Sequence, residues 1–197
     1  MALGKFGTNL IFACLVALLG LTAVTSIFIK ANQPGIRQTE SAQEPSGSQM
    51  PANHPSVEAA GKLADLEQLI IKEPQNPDHR TQIGNLYYDM GQYDKAADFY
   101  QQSLGIRPRD PNVETDLATC FYYLGQSDKA LEILDKVLEY SPGFPMAMLN
   151  KGVVLVDGKR DIKGGIAVWE NLLRSNPSFP QKAELEQRIS QLKASAK

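Results

Sequence analysis

The feature that most limits what this chain can fold into is a pattern written twice at a spacing of 34 residues. Starting from Pro77, it reads Ile83, Gly84, Tyr87, Ala96, Tyr100, Ser103 and Pro108; moved on by 34 it reads Leu117, Ala118, Phe121, Ala130, Leu134, Val137 and Pro142. A third copy opens at Pro145 with Gly152 and Leu155, takes one extra residue in its middle turn, and continues with Gly165, Trp169, Leu172 and Pro177. A period in this range means stacked supersecondary units, each too small to bury its own apolar face alone. Small residues at the eighth and twentieth positions let two helices approach closely, large residues fill the seam, and proline closes each unit.

Those recurring positions resemble the tetratricopeptide repeat, a helix-turn-helix module that stacks into a right-handed superhelix. The resemblance implies an all-α solenoid of about eight helices from Val57 onward: a leading helix over 57–76, repeats over 77–110, 111–144 and 145–179, and a capping helix over 180–197. Leu63, Leu66, Leu69 and Ile70 mark one face of the leading helix. Leu185, Ile189 and Leu192 do the same in the cap, with a polar face left for water. Within the repeats, Met90-Gly91-Gln92 and Leu124-Gly125-Gln126 place glycine where a helix ends in a left-handed residue. Asp94 and Asp128 then fall in the first turn of the next helix, where the dipole favours them.

Ahead of this domain the composition changes twice. The 24 residues from Phe6 to Ile29 carry no charge; as a helix they span about 36 Å, enough for a hydrocarbon core of about 30 Å. The run is longer than the apolar region of a cleaved signal peptide and ends Ile-Phe-Ile-Lys rather than in small residues. Residues 1–30 therefore read as a retained single-pass anchor. Residues 31–56, rich in Gln, Ser, Pro and Gly, cannot bury enough to offset their ordering entropy and read as a flexible linker with a reach of about 28 Å. Flanking charges nearly balance, so they do not set the orientation. A short tail before one anchor and a long polar domain after it points to the inner membrane, with the repeats on the extracytoplasmic (periplasmic) side.

Chemistry finds no footing in these residues. A formal charge of −2 argues against bulk electrostatic binding of nucleic acid. His54 and His79 are the only histidines, Cys14 and Cys120 the only cysteines, so neither a disulfide framework within the chain nor a familiar zinc or haem motif can form. Gly152 to Arg160 misses a phosphate loop in glycine spacing, in the residue after lysine, and in lying on a helix. No catalytic residue, metal site, cofactor or small-molecule substrate is implied, and the reading is not an enzyme.

What remains is a surface. In repeats of this family the first helices line a concave face, which implies a partner-binding groove made by Thr81, Asn85, Tyr88, Asp89, Asp116, Thr119, Tyr122, Tyr123, Asn150 and Val153. Its partner is a peptide or helix of another protein bearing apolar and basic residues. The subclass that grips a C-terminal carboxylate needs cations where this chain has Thr81 and Asp116, so that clamp is not implied. Ile166, Trp169, Leu172, Leu173 and Pro177, closing a short array behind a membrane anchor, resemble the repeat domains of bacterial cytochrome c maturation proteins. The resemblance implies an adaptor, chaperone or assembly factor; the alternative is a regulatory or structural subunit of another envelope complex, such as one for secretion or pilus assembly.

Overall fold

The computed structural model of the chain describes residues 56–195. The membrane anchor expected over 1–30, the linker up to residue 55 and His54 lie outside the described residues. Among the described residues no helix is long and apolar enough to cross a membrane.

Among the described residues eight α-helices follow one another: α1 Val57–Lys72, α2 Pro77–Asp89, α3 Tyr93–Ile106, α4 Pro111–Tyr123, α5 Ser127–Tyr140, α6 Pro145–Val153, α7 Ile162–Ser175 and α8 Lys182–Ser195. No strand occurs among the described residues. The all-α stack expected from Val57 onward is what the described residues form.

Proline and short polar side chains set the starts. Pro77, Pro111 and Pro145 each occupy the first turn of a helix, where the missing N–H costs nothing. The Asn76 side chain accepts from Asp78 N, and Asp110 accepts from Asn112 N and Val113 N. Glycine ends the first helix of two repeats: Gly91 and Gly125 adopt φ of 71° and 76°, a conformation that a side chain would strain. The third repeat has no glycine there. Its extra residue is absorbed by a π-helical turn, Val154–Gly158, that prolongs α6, and Arg160 takes the left-handed conformation at φ 60°.

The seams pair a small residue with a large one. Gly84 lies under the Tyr100 ring, and a β-carbon on it would meet that ring at 2.6 Å. Gly152 lies in the same way under Trp169, and Gly165 under Val156. In the middle repeat Ala118 and Leu134 share the task, both wholly buried. Burying each such large side chain is worth about 1.5–3 kcal/mol. At the front of the stack Leu63 and Leu66 of α1 pack on Ile83. In α1 the place of Ala96, Ala130 and Gly165 is taken by Lys62, which is exposed and paired with Glu58 at 2.7 Å. That face of α1 therefore meets water. At the other end Phe179, Leu185 and Ile189 seat α8.

Candidate functional site

Four tyrosines gather where the ends of α2 and α4 meet the start of α3. Tyr93, the first residue of α3, stacks on Tyr123 at the end of α4, with ring centroids 4.5 Å apart and planes 16° apart. Tyr88 meets Tyr93 edge-on at 5.4 Å and Tyr123 at 6.1 Å; Tyr122 lies 5.4 Å from Tyr123. At its far end the row reaches the third repeat, where Gly158 sits close enough that a β-carbon would approach the Tyr122 ring at 3.4 Å. All four rings are half-buried. Tyr88 and Tyr122 share one repeat position, and Tyr123 follows Tyr122. Tyr93 was absent from the sequence-based set, although an aromatic directly after a Gly-Gln turn was its visible signal.

Beside the rings stands a polar floor. Asn85 is exposed and its Oδ1 accepts from the Tyr100 hydroxyl at 2.8 Å. Asp116 is half-buried near Tyr88, Tyr100 and Cys120. Asp89 is exposed, though nearby protein desolvates its carboxyl enough to raise its pKa. Thr81 is half-buried and shares a 2.7 Å hydrogen bond with Ser103.

Three residues expected on this surface lie elsewhere. Thr119, Asn150 and Val153 are buried. The Asn150 amide donates to Thr119 Oγ1 at 2.9 Å, and Thr119 in turn donates to the Thr115 carbonyl at 2.9 Å. The Asn150–Thr119 hydrogen bond ties α4 to α6 inside the core, while the buried Asn150 Oδ1 has no hydrogen-bond partner. The accessible part of the expected set is thus Asn85, Tyr88, Asp89, Asp116, Tyr122 and Tyr123, with Tyr93 added and Thr81 at the edge.

The third-repeat end of the row is braced by charge. Arg188 of α8 donates to both carboxylate oxygens of Asp157, at 3.0 and 2.8 Å, and stands 5.4 Å over the Trp169 ring. Burial holds the Asp157 carboxyl above its ordinary value in spite of Arg188. Burial also raises the tyrosine hydroxyls: Tyr123 is pushed up to about 12, and Tyr88, Tyr93 and Tyr122 are raised. Burial, helped by Asp116, raises the Cys120 thiol as well, so it stays protonated and unreactive. Among the described residues no three His, Cys, Asp or Glu side chains gather as they would to hold a metal ion.

Helix pairs of this length, stacked in order with small-large seams, define a class of fold. Residues 87–151 match the tetratricopeptide repeat family. In structure the chain is similar to MamA (TM-score 0.61, 15% identity, 70% of this chain and 78% of that chain). It is also similar to the first TPR of Spaghetti (RPAP3) bound to the HSP90 peptide SRMEEVD (TM-score 0.54, 21% identity, 61% and 94%). The Sgt2 TPR domain from Aspergillus fumigatus resembles it at a TM-score of 0.55 and 23% identity, over 61% of this chain and 78% of that chain. At these identities the likeness concerns the fold. No curated protein matches the chain in sequence.

Proposed function

We propose that this protein is a membrane-tethered interaction module whose concave face holds a segment of a partner protein. The observation that carries the reading is the half-buried tyrosine cluster with Asp89 and Asp116 near it. Ring faces offer apolar contact at little entropic cost, and carboxylates call for Lys or Arg in the ligand. Opposite charges speed and orient the encounter, while the rings hold the complex. RPAP3's first TPR is bound to SRMEEVD, a peptide that is acidic at its end. Asp89 and Asp116 in this chain favour a ligand of the opposite sign.

The uncharged run from Phe6 to Ile29 supports a single-pass anchor in the inner membrane, and the polar residues 31–56 support a tether to an extracytoplasmic repeat domain. In that setting the module serves as an assembly factor for an envelope complex; the segment around Trp169 favours the maturation of c-type cytochromes. A photo-cross-linking residue at position 85, inside the groove, tests the reading in the full chain in its native membrane, with position 64 on the exposed outer face of α1 as comparison. Partner adducts should form from 85 and not from 64. Adducts from 64 alone would overturn the groove, and release of the chain by carbonate would overturn the anchor.

A further inference from the structure

We infer that copies of this chain join head to tail: the outer face of α1 in one copy seats Ile71 in a pocket between α3 and α5 of the next. The contact lies apart from the groove and does not depend on it.

α1 is apolar on two sides. Leu63 and Leu66 face α2 and pack on Ile83. Val57, Ala60, Ala64 and Ile71, at helical spacing, fall on the side away from them. All four are exposed, Val57 at 93% and Ile71 at 72%. Apolar residues on both sides are the mark of an enclosed helix, yet α1 stands at the open end of the stack with no helix beyond it among the described residues. Glu67, one turn before Ile71, and Lys72, directly after it, are exposed, and neither has an ion pair among the described residues. Ile71 is thus an apolar knob flanked by a free acid and a free base.

The receiving site lies between the C-terminal ends of α3 and α5, and none of the expected groove residues lines it. Leu104 of α3, Leu117 of α4 and Ile133 of α5 form an apolar floor, with the Tyr140 ring as one wall, around a space of about 520 Å³. That volume is enough for Ile71 and the aliphatic stem of Lys72. Two of the rim charges are already answered: Glu114 accepts from the Tyr140 hydroxyl at 2.7 Å, and Lys136 pairs with Glu132 at 2.6 Å. The other two are not. Arg109 and Glu139 are exposed and have no ion pair among the described residues. Arg109 is also held at φ 61°, a left-handed conformation that few non-glycine residues adopt, with its guanidinium 6.0 Å over the Tyr140 ring.

Knob and pocket answer each other in shape and sign. Ile71 supplies the apolar filling that the floor lacks, Lys72 meets Glu139, and Glu67 meets Arg109. In a single copy Ile71 stays exposed, so the pocket is filled from another molecule. Because knob and pocket are different surfaces of one chain, every copy added leaves one of each free. Such a heterologous contact generates an open chain or a ring, not a closed pair.

Sedimentation equilibrium of the full chain in density-matched detergent tests this. The weight-average mass should rise with concentration past that of a dimer. Ile71→Lys, at an exposed position, should keep the fold and weaken association roughly tenfold. Arg109→Asp with Glu139→Lys inverts the rim at unchanged net charge, and aspartate tolerates the left-handed turn. This variant should also associate roughly tenfold more weakly, most clearly at low salt. Adding Glu67→Lys with Lys72→Glu to it should restore association. A mixture of the Ile71→Lys copy with the rim-inverted copy holds one good pocket and one good knob, and should give dimers that grow no further. A parent that stops at two, sensitive to Ile71→Lys and not to rim inversion, would reveal paired α1 faces and overturn the pocket. Association indifferent to both variants, or a parent monomeric throughout, overturns head-to-tail joining outright. None of these substitutions touches the groove, so the groove reading survives either result. In cross-linking from position 64, self-adducts weigh twice the chain and are thereby told apart from partner adducts.

Discussion

Trp169 lies so close over Gly152 that a β-carbon on the glycine would collide with the indole nitrogen, and that nitrogen donates to the Leu149 carbonyl at 2.9 Å. Tyr100 stands over Gly84 in the same manner and finds its partner in Asn85. In both seams a large ring is wholly buried because the opposing helix gives up its side chain, and the polar atom of each ring is satisfied. The ring is what joins the two helices of the pair.

Gly152→Ala should therefore destabilise the fold by about 1–3 kcal/mol, the usual cost of overpacking a tight core. Gly61, in α1, has nothing within 4 Å of its would-be β-carbon. Gly61→Ala should stabilise by about 0.5–1 kcal/mol through helix propensity. Urea unfolding followed by circular dichroism compares the two; equal effects of one sign would mean that the Gly152 seam is not tight.

The Asn150–Thr119 pair makes a second prediction. Thr119→Val removes the acceptor and leaves a buried amide unpaired, at a cost of about 1–3 kcal/mol. Replacing both, as Thr119→Val with Asn150→Leu, should recover most of that loss, because no orphaned donor remains. A double variant as unstable as the sum of its parts would assign the pair no such coupling.

Arg188 and Asp157 should respond unequally to removal. Each is about a quarter exposed, at 25% and 27%, so the pair lies between a surface bridge and a buried one. Arg188→Ala strands a short carboxylate that burial already disfavours, and should cost about 1–3 kcal/mol. Asp157→Asn should cost less, since it removes the charge that burial penalises and the long arginine stem can turn its head to water. Paired thermal melts check the order, which a reversed ranking would refute.

Alkaline titration reads the tyrosine row directly. Six of the seven tyrosines have raised hydroxyl pKa values. A group whose folded pKa exceeds its unfolded value contributes stability that is complete below the unfolded pKa and lost as pH rises through the folded one. For Tyr123 that window runs from the ordinary 10.0 to about 12. Absorbance of tyrosinate should thus lag the urea-unfolded chain above pH 10 and rise together with unfolding near the top of the window. Superimposable native and unfolded curves would count against the packing of the row.

How much of this was legible in the chain depends on whether a residue's task is local or shared. Helix starts and stops were open to reading, because Pro77, Pro111, Gly91 and Gly125 act through their own backbone preferences, whatever surrounds them. The small-large seams were legible too, since the period of 34 returns Gly84 and Gly152, Tyr100 and Trp169, to equivalent places. The period could not tell which first-helix positions stay open. Thr119 and Asn150 occupy nominal groove positions, yet they bond across α4 and α6 and vanish from the surface, because the spacing of neighbouring helices depends on both side chains at once. Nor could it anticipate that Tyr93 completes the row, or that the extra residue of the third repeat becomes a π-turn aiming Asp157 at Arg188. Those contacts join residues whose nearness in space is set by how the units stack, and stacking geometry is the sum of many seams that no single stretch of the chain encodes.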